Sequence, residues 1–168
     1  MTNSYKMTHI GLALEGLLQN LKDDNNRKVF DKVILGLGEN DVKQFNRCIG
    51  IAYVKGANDF TDTFGERNVP NSINSVVAFV IKGTQRARYD EAMKIADIIL
   101  YNFRHNDDWI YLKDSNHQNT VRGTKITDFN VSLFQNGKRL DIACVFTLTH
   151  TICGSINLRK ITIFFYGG

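Results

Sequence analysis

The sequence predicts an α+β fold: a mostly antiparallel sheet packed by an N-terminal helix and a long central helix, with a C-terminal β-hairpin and an extra terminal strand. Three observations predict it. Residues 76–81 form an apolar, β-branched run that is typical of a buried strand. Residues 92–103 repeat apolar side chains at three- and four-residue steps, as an amphipathic helix does. Farther along, strand-like segments flank Asn136-Gly137, the strongest short signal for a hairpin.

The first part of the chain holds one predicted helix and two predicted strands. Apolar residues at helical spacing over 8–21, followed by a polar run, predict the N-terminal helix. Residues 28–37 fit a strand or a short helix, and their β-branched content favours a strand. Residues 47–55 alternate small and large side chains, which predicts a strand with one face covered by a helix.

The central helix is predicted to begin near Arg88. Asp90 and Glu91 suit the positive end of a helix dipole, whereas Arg86 and Arg88 do not. The helix follows directly on the strand at 76–81, so we expect it to pack on the sheet.

The C-terminal part of the chain is predicted to be β-structure. A short apolar run at 109–112 precedes a polar loop at 113–124. Residues 129–134 then alternate, and 140–149 form the return strand of the hairpin. Four side chains of that strand are predicted to share one face: Ile142, Cys144, Phe146 and Leu148. Residues 156–166 predict the extra terminal strand, paired either within the sheet or with another subunit.

Composition predicts a single domain over 1–168. The chain has 168 residues, of which 43% are hydrophobic, and it contains one Pro and no low-complexity linker. Its net charge of +4 permits contact with nucleic acid, but the basic residues are interspersed with acids rather than clustered.

Cysteine usage and hydropathy predict the compartment. The three cysteines lack the paired spacing of a zinc site and are predicted as small core residues, which favours a reducing cytoplasm over a disulfide framework. No segment approaches the ~20 apolar residues of a membrane span. We therefore predict a soluble chain with no membrane partner.

Motifs of catalysis or metal binding do not occur in the sequence. There is no glycine-rich phosphate loop, nucleophile elbow or metal-spaced His/Cys group. The nearest set of potential metal ligands spans a helix end and a polar loop, and it combines His105, Asp107 and Asp108 with Asp114 or His117. His9 and His150 lie beside apolar positions and are predicted to be hydrogen-bonded structural residues. We predict no catalytic residue, no metal, no cofactor and no enzymatic activity.

A long loop at 56–71 is rich in Gly, Asn and Asp, yet it includes Phe60 and Phe64. Two interpretations stay open. The loop is an arm that inserts its aromatic side chains into a neighbour, or it is a hairpin loop whose two Phe residues fold back on their own core.

The order of elements resembles that of the tail terminator (tail completion) proteins of long-tailed bacteriophages, the group that includes the lambda-type terminator. Three segments carry the resemblance: the leucine-bearing N-terminal helix (residues 10–21), VVAFVIKGTQRARYDEAMKIADIILYNF in the centre, and TDFNVSLFQNGKRLDIACVFTLTHTI near the end. Coverage is residues 8–152, and the family has no signature motif or catalytic residue. The loop at 56–71 and the strand at 156–168 are additions to the family's pattern. The resemblance therefore implies a terminator-like core over 1–155 and a C-terminal strand extension over 156–168.

The resemblance implies a structural virion protein. Such a protein is a subunit of a homo-hexameric ring that caps the tail tube, ends its polymerisation and joins the tail to the head connector or a neck protein. Double-stranded DNA passes through the lumen without sequence-specific binding, and the protein resides in the virion tail or neck after assembly in the host cytoplasm. The candidate subunit contacts are Phe60, Phe64, Phe164, Phe165 and Tyr166. The candidates for facing DNA or an acidic partner are Arg86, Arg88, Arg122 and Lys125.

Other classes stay open. One is another neck or tail tube-related phage structural protein. A second is a small nucleic-acid-binding α+β protein, which would need its basic residues gathered on one face and would bind with steep salt dependence. An enzyme of unknown class would need a concave pocket with perturbed ionisable groups.

Overall fold

The structure, a computed structural model, describes residues 6–36, 47–57, 72–113 and 121–152. Within these ranges the elements are α1 (Lys6–Gln19), β1 (Lys32–Leu35), β2 (Cys48–Ala57), β3 (Ser72–Ile81), α2 (Arg86–His105), α3 (Asp107–Ile110), β4 (Val121–Asn136) and β5 (Arg139–Ile152). The five strands form one sheet in the order β1-β2-β3-β5-β4. β1 and β2 are parallel, and the other neighbouring pairs are antiparallel. The predicted α+β class with a mostly antiparallel sheet is confirmed.

One face of the sheet carries the core. Ile142, Cys144, Phe146 and Leu148 of β5 are fully buried, while the side chains that alternate with them are only half-buried. On the neighbouring β3, Phe79 is opposite Cys144, and its ring centroid lies 6.2 Å from that of Phe146. Because directly paired residues of neighbouring strands share a face, this burial confirms the predicted alternation of β5.

Both long helices bury one stripe against this face. The buried side chains of α1 are Ile10, Leu14 and Leu18. Those of α2 are Ala92, Ile95, Ala96, Ile99 and Phe103. All of them belong to one hydrophobic cluster with the buried face of the sheet. Their three- and four-residue spacing keeps each stripe on a single side of its helix, as the sequence predicts.

Helix α2 begins at Arg86, two residues before the predicted start near Arg88. The carbonyl oxygen of Gln85 accepts hydrogen bonds from the backbone amides of Arg88 and Tyr89. Arg88 also forms an ion pair with Glu91, at 3.0 Å between Nη1 and Oε2. This ion pair offsets the unfavourable position of the Arg88 charge at the positive end of the helix dipole. The prediction from the dipole alone did not include the ion pair.

Strand β4 begins earlier than predicted. Residues 121–124 are predicted to be loop, but β4 starts at Val121, and both Val121 and Thr124 are buried. Thr124 pairs with His150 of β5. Backbone pairing with a neighbouring strand here overrides the polar composition of the segment.

Other segments follow the predictions with shifted ends. The strand favoured within 28–37 is β1, only four residues long. The strand predicted at 76–81 begins at Ser72. The apolar run at 109–112 overlaps the short helix α3, whose Trp109 packs against Phe103 in a T-shaped arrangement with 4.9 Å between ring centroids.

The β4–β5 hairpin turns one residue later than predicted. Asn136 is the last residue of β4 and pairs with Arg139, so the central residues of the turn are Gly137 and Lys138. Gly137 has φ +62, whereas Lys138 is not among the residues with positive φ. This arrangement fits a type II′ turn, in which the first central position requires glycine.

Several predictions lie outside the described residues. They concern Cys153, the terminal strand at 156–166, and all but the first two residues of the loop at 56–71. Cys48 and Cys144 are buried, as predicted. The single domain over 1–168 and its division at residue 155 stay predictions. No helix in the described ranges is long and apolar enough to span a membrane.

Candidate assembly site

Strand β4 forms one edge of the sheet, and its two halves differ. The first half has irregular pairing with β5 between Val121 and Gly123 and again between Ile126 and Asp128. The second half, from Asp128 to Asn136, pairs with β5 without interruption. Among the described residues, only β5 pairs with β4. The outer backbone groups of the regular half therefore face no described strand.

Apolar side chains extend from the core to the tip of this hairpin. Phe129 and Val131 of β4 are partly buried and pack against the core. Leu133 is 63% exposed, and Leu140 on β5 is 42% exposed. Leu133 pairs with Ile142, two residues from Leu140, so the two exposed leucines are diagonal neighbours on one face. The regular edge thus ends in an exposed apolar patch.

The buried carboxylate of Asp141 fixes the base of this tip. It accepts hydrogen bonds from the Gly83 amide at 2.8 Å, from Arg139 Nε at 2.6 Å and from Asn136 Nδ2 at 3.2 Å. Burial raises the pKa of Asp141, but the hydrogen bonds from Arg139, Gly83 and Asn136 outweigh it and hold the pKa below its ordinary value of 3.8. The sequence analysis did not single out this residue.

The four basic candidates do not form one patch. Arg86 and Arg88 lie at the start of α2, just beyond the end of β3 where Ile81 pairs with Ile142. Arg122 and Lys125 lie near the opposite end of the sheet, where Thr149 and Thr151 of β5 pair with β4. Thr151 lies nine residues after Ile142 along β5, which corresponds to about 30 Å at ~3.3 Å per residue. All four side chains are exposed, but they lie as two separate pairs.

Glu91 forms ion pairs with Arg88 and with Arg47. Glu91 accepts from Arg88 at 3.0 Å and from Arg47 Nε at 2.8 Å. Burial raises the pKa of Glu91, but these hydrogen bonds outweigh it, so the pKa is lowered from its ordinary value. Arg88 is therefore engaged within the fold, whereas no such contact is seen for Arg86 within the described residues.

A buried hydroxyl–imidazole cluster joins three strands. His150 Nε2 lies 2.6 Å from Ser75 Oγ, and its Nδ1 lies 2.9 Å from Thr124 Oγ1. All three side chains are buried, and burial lowers the pKa of His150 to about 4. Hydroxyls engage both ring nitrogens in an enclosed position, so His150 has the structural role predicted for it. His9 differs from its prediction, because it is exposed on α1.

A groove of about 1000 Å³ separates α1 from the end of α2 and α3. Its walls include Leu12 and Leu17 of α1 and, opposite them, Asn106 and Trp109.

The described residues contain no group of three potential metal ligands.

Two members of the nearest set of potential metal ligands in the sequence have other partners. His105 packs against the ring of Tyr101, and Asp108 pairs with Lys113 at 2.9 Å. Asp114 and His117 lie outside the described residues. The described members of the set therefore do not converge on one point.

The predicted subunit contacts cannot be placed on this surface, because all five lie outside the described residues: Phe60, Phe64, Phe164, Phe165 and Tyr166. The edge of β4 and the exposed leucines beside its turn are candidate contact surfaces that the sequence analysis did not identify. The sequence signal for this surface is the alternation of Phe129, Val131 and Leu133 on a strand that ends in a two-residue turn.

A scan against models of known protein families finds no match to this chain, and a search of curated proteins finds no similar sequence. The resemblance to tail terminators therefore stays a prediction from the order of elements.

Proposed function

We propose that this chain is a structural subunit of a ring that caps the tail tube of a long-tailed bacteriophage, ends its polymerisation and joins the tail to the head connector. The observation that carries the proposal is the regular edge of β4 with the exposed Leu133 and Leu140 at its tip. An unprotected strand edge beside exposed apolar side chains is typical of a surface that assembles with another chain.

The order of elements supports the same class. A helix with buried leucines comes first, a central strand leads into a 20-residue helix, and a long hairpin follows. These are the three segments on which the resemblance to tail terminators rests. A hexameric ring also requires two different, complementary patches on each subunit, and the β4 edge is suitable for one of them.

Of the alternatives, the nucleic-acid-binding protein has less support. It requires gathered basic residues, but Arg86 and Arg88 are separated from Arg122 and Lys125 by most of the length of the sheet. In a ring, the exposed pair on β4 would face passing DNA or an acidic neighbour without forming a specific site. We further propose that the chain acts mechanically and not as an enzyme.

The test is polymerisation of a purified phage tail tube protein in the presence and absence of this chain, followed by electron microscopy. We expect added chain to shorten the tubes in proportion to its concentration and to appear as a ring at one end of each tube. Tubes grown without the chain are the control. Unchanged tube lengths and bare ends would contradict the proposal, and salt-sensitive binding to duplex DNA would then favour the alternative.

A further inference from the structure

We propose that residues 128–136 of β4 are the edge to which a second copy of this chain adds its strand predicted at 156–166. The inference deepens the proposed function and rests on it in taking the partner to be another copy. Pairing of an extended segment with an exposed sheet edge is a common mode of recognition, because main-chain hydrogen bonds supply affinity and side chains set the register.

The contrast within β4 is the first argument. Proteins protect free sheet edges with bulges, lysines and prolines. The half before Asp128 has two irregularities and carries Arg122 and Lys125. The half from Asp128 to Asn136 has neither irregularities nor any Lys, Arg or Pro. One strand thus has a protected half and an unprotected half of nine residues, and only the unprotected half is suited to receive a partner.

Charge complementarity selects the partner strand. Asp128 is the only charged residue in the unprotected half, and Arg159 and Lys160 are the only charged residues in 156–166. A parallel register that places Lys160 beside Asp128 aligns residues 161–166 with residues 129–134. Ile161, Ile163 and Phe165 then extend the row of Phe129, Val131 and Leu133.

A second copy fits this register better than the chain's own terminal segment. β5 runs antiparallel to β4 and ends at Ile152, which pairs with Val121. The chain's own strand would have to reverse direction around the start of β4 and pass both irregularities before it reached Asp128. A strand from a neighbour approaches the regular half directly. Because edge and strand are different surfaces, repetition of the contact can close a ring.

Single lysine substitutions on the full chain test the edge. Leu133→Lys and Ser132→Lys place a charge on either face of the unprotected half, and both positions are exposed. Thr127→Lys is the matched control beside the second irregularity, where the hydroxyl makes only long contacts of 3.3 and 3.4 Å. We expect the edge variants, but not the control, to raise the concentration for half-assembly at least about tenfold in light scattering.

A mixing experiment tests the partner strand. Ile163→Lys leaves the edge intact, and Leu133→Lys leaves the terminal strand intact. We expect each variant alone to be monomeric and their mixture to form a complex of two chains that does not grow, since it holds one intact edge and one intact strand. Two results would overturn the inference: assembly that Leu133→Lys leaves unchanged, and a mixture that stays monomeric.

Hydrogen exchange of the unmodified chain tests whether a second copy or the chain itself covers the edge. Protection of the outward amides of 128–136 should rise with protein concentration. Protection in a strict monomer would show that the chain covers its own edge and would overturn the inference, as would a monomer with unprotected amides at every concentration. Tube capping is measured in a separate experiment. A refuted edge contact would therefore leave the proposed ring function standing.

Discussion

The backbone amide of Gly83 donates a 2.8 Å hydrogen bond to the carboxylate of Asp141, 58 residues farther along the chain. Gly83 lies in the turn before α2 with φ +91, a backbone conformation that favours glycine. Asp141 lies at the base of the hairpin tip and also holds Arg139 and Asn136. One buried carboxylate thus couples the start of the central helix to the strand pair that forms the candidate assembly edge.

Replacing this carboxylate should destabilise the fold. Asp141→Asn keeps the size of the side chain but removes the charge and turns a donor toward Arg139 and Asn136, so we expect a loss of about 1–3 kcal/mol in the free energy of unfolding. Urea unfolding followed by circular dichroism measures it. The matched control is Asp97→Asn on α2, which is exposed and lies away from the β4 edge, and it should change stability by less than about 0.5 kcal/mol. Equal midpoints for the two variants would contradict the coupling.

The same carboxylate predicts a loss of stability in acid. Because the folded pKa of Asp141 lies below 3.8, its contribution is fully present above that value and is lost as the pH falls through the folded pKa. We expect the difference in stability between the unmodified chain and Asp141→Asn to shrink in this range.

His150 predicts a second pH dependence, at higher pH. Its pKa is lowered from 6.5 to about 4 in the folded chain, so the unfolded chain binds a proton first as the pH falls. Stability should be full above pH 6.5 and decrease down to about pH 4, by on the order of 3 kcal/mol in total. Unfolding midpoints of the unmodified chain and of His150→Gln measure this slope, which the variant should lack. An imidazole NMR resonance of His150 that titrates near 6.5 would contradict the prediction.

The hairpin turn predicts opposite effects for two glycines. Gly137→Ala should destabilise by about 1 kcal/mol, because φ +62 is strained for alanine although no atom within 4 Å would clash with the added Cβ. Gly16→Ala in α1 meets no atom within 4 Å either and should stabilise by up to about 1 kcal/mol through helix propensity. Thermal unfolding compares them, and a stabilising Gly137→Ala would refute the turn assignment.

The elements that the sequence predicts well are those whose burial follows a local period. The alternation of Ile142, Cys144 and Phe146 and the stripe of α2 can be read from neighbours along the chain, and the structure has both. The first half of β4 is different. Its polar residues look like a loop, and only pairing with β5, about 26 residues away at Thr124 and His150, makes them a strand.

The candidate site was harder to predict for the same reason. Asp141 acquires its role from Gly83, and Ser75 from His150, through contacts that no local pattern reports. Leu133 is 63% exposed although Phe129 and Val131 on the same strand pack against the core, a difference that their regular alternation in the sequence does not report. No local sequence pattern distinguishes Arg88 from Arg122, yet the two residues lie near opposite ends of the sheet.

The mass of the purified chain in solution is the most direct test of the proposed ring. Light scattering behind a sizing column should give six times the chain mass of 19.1 kDa, or a monomer that becomes a six-fold ring only at the ends of added tail tubes, visible in electron micrographs. A particle with the mass of one chain at every concentration, which also leaves tube ends bare, would contradict the ring and with it the proposed function.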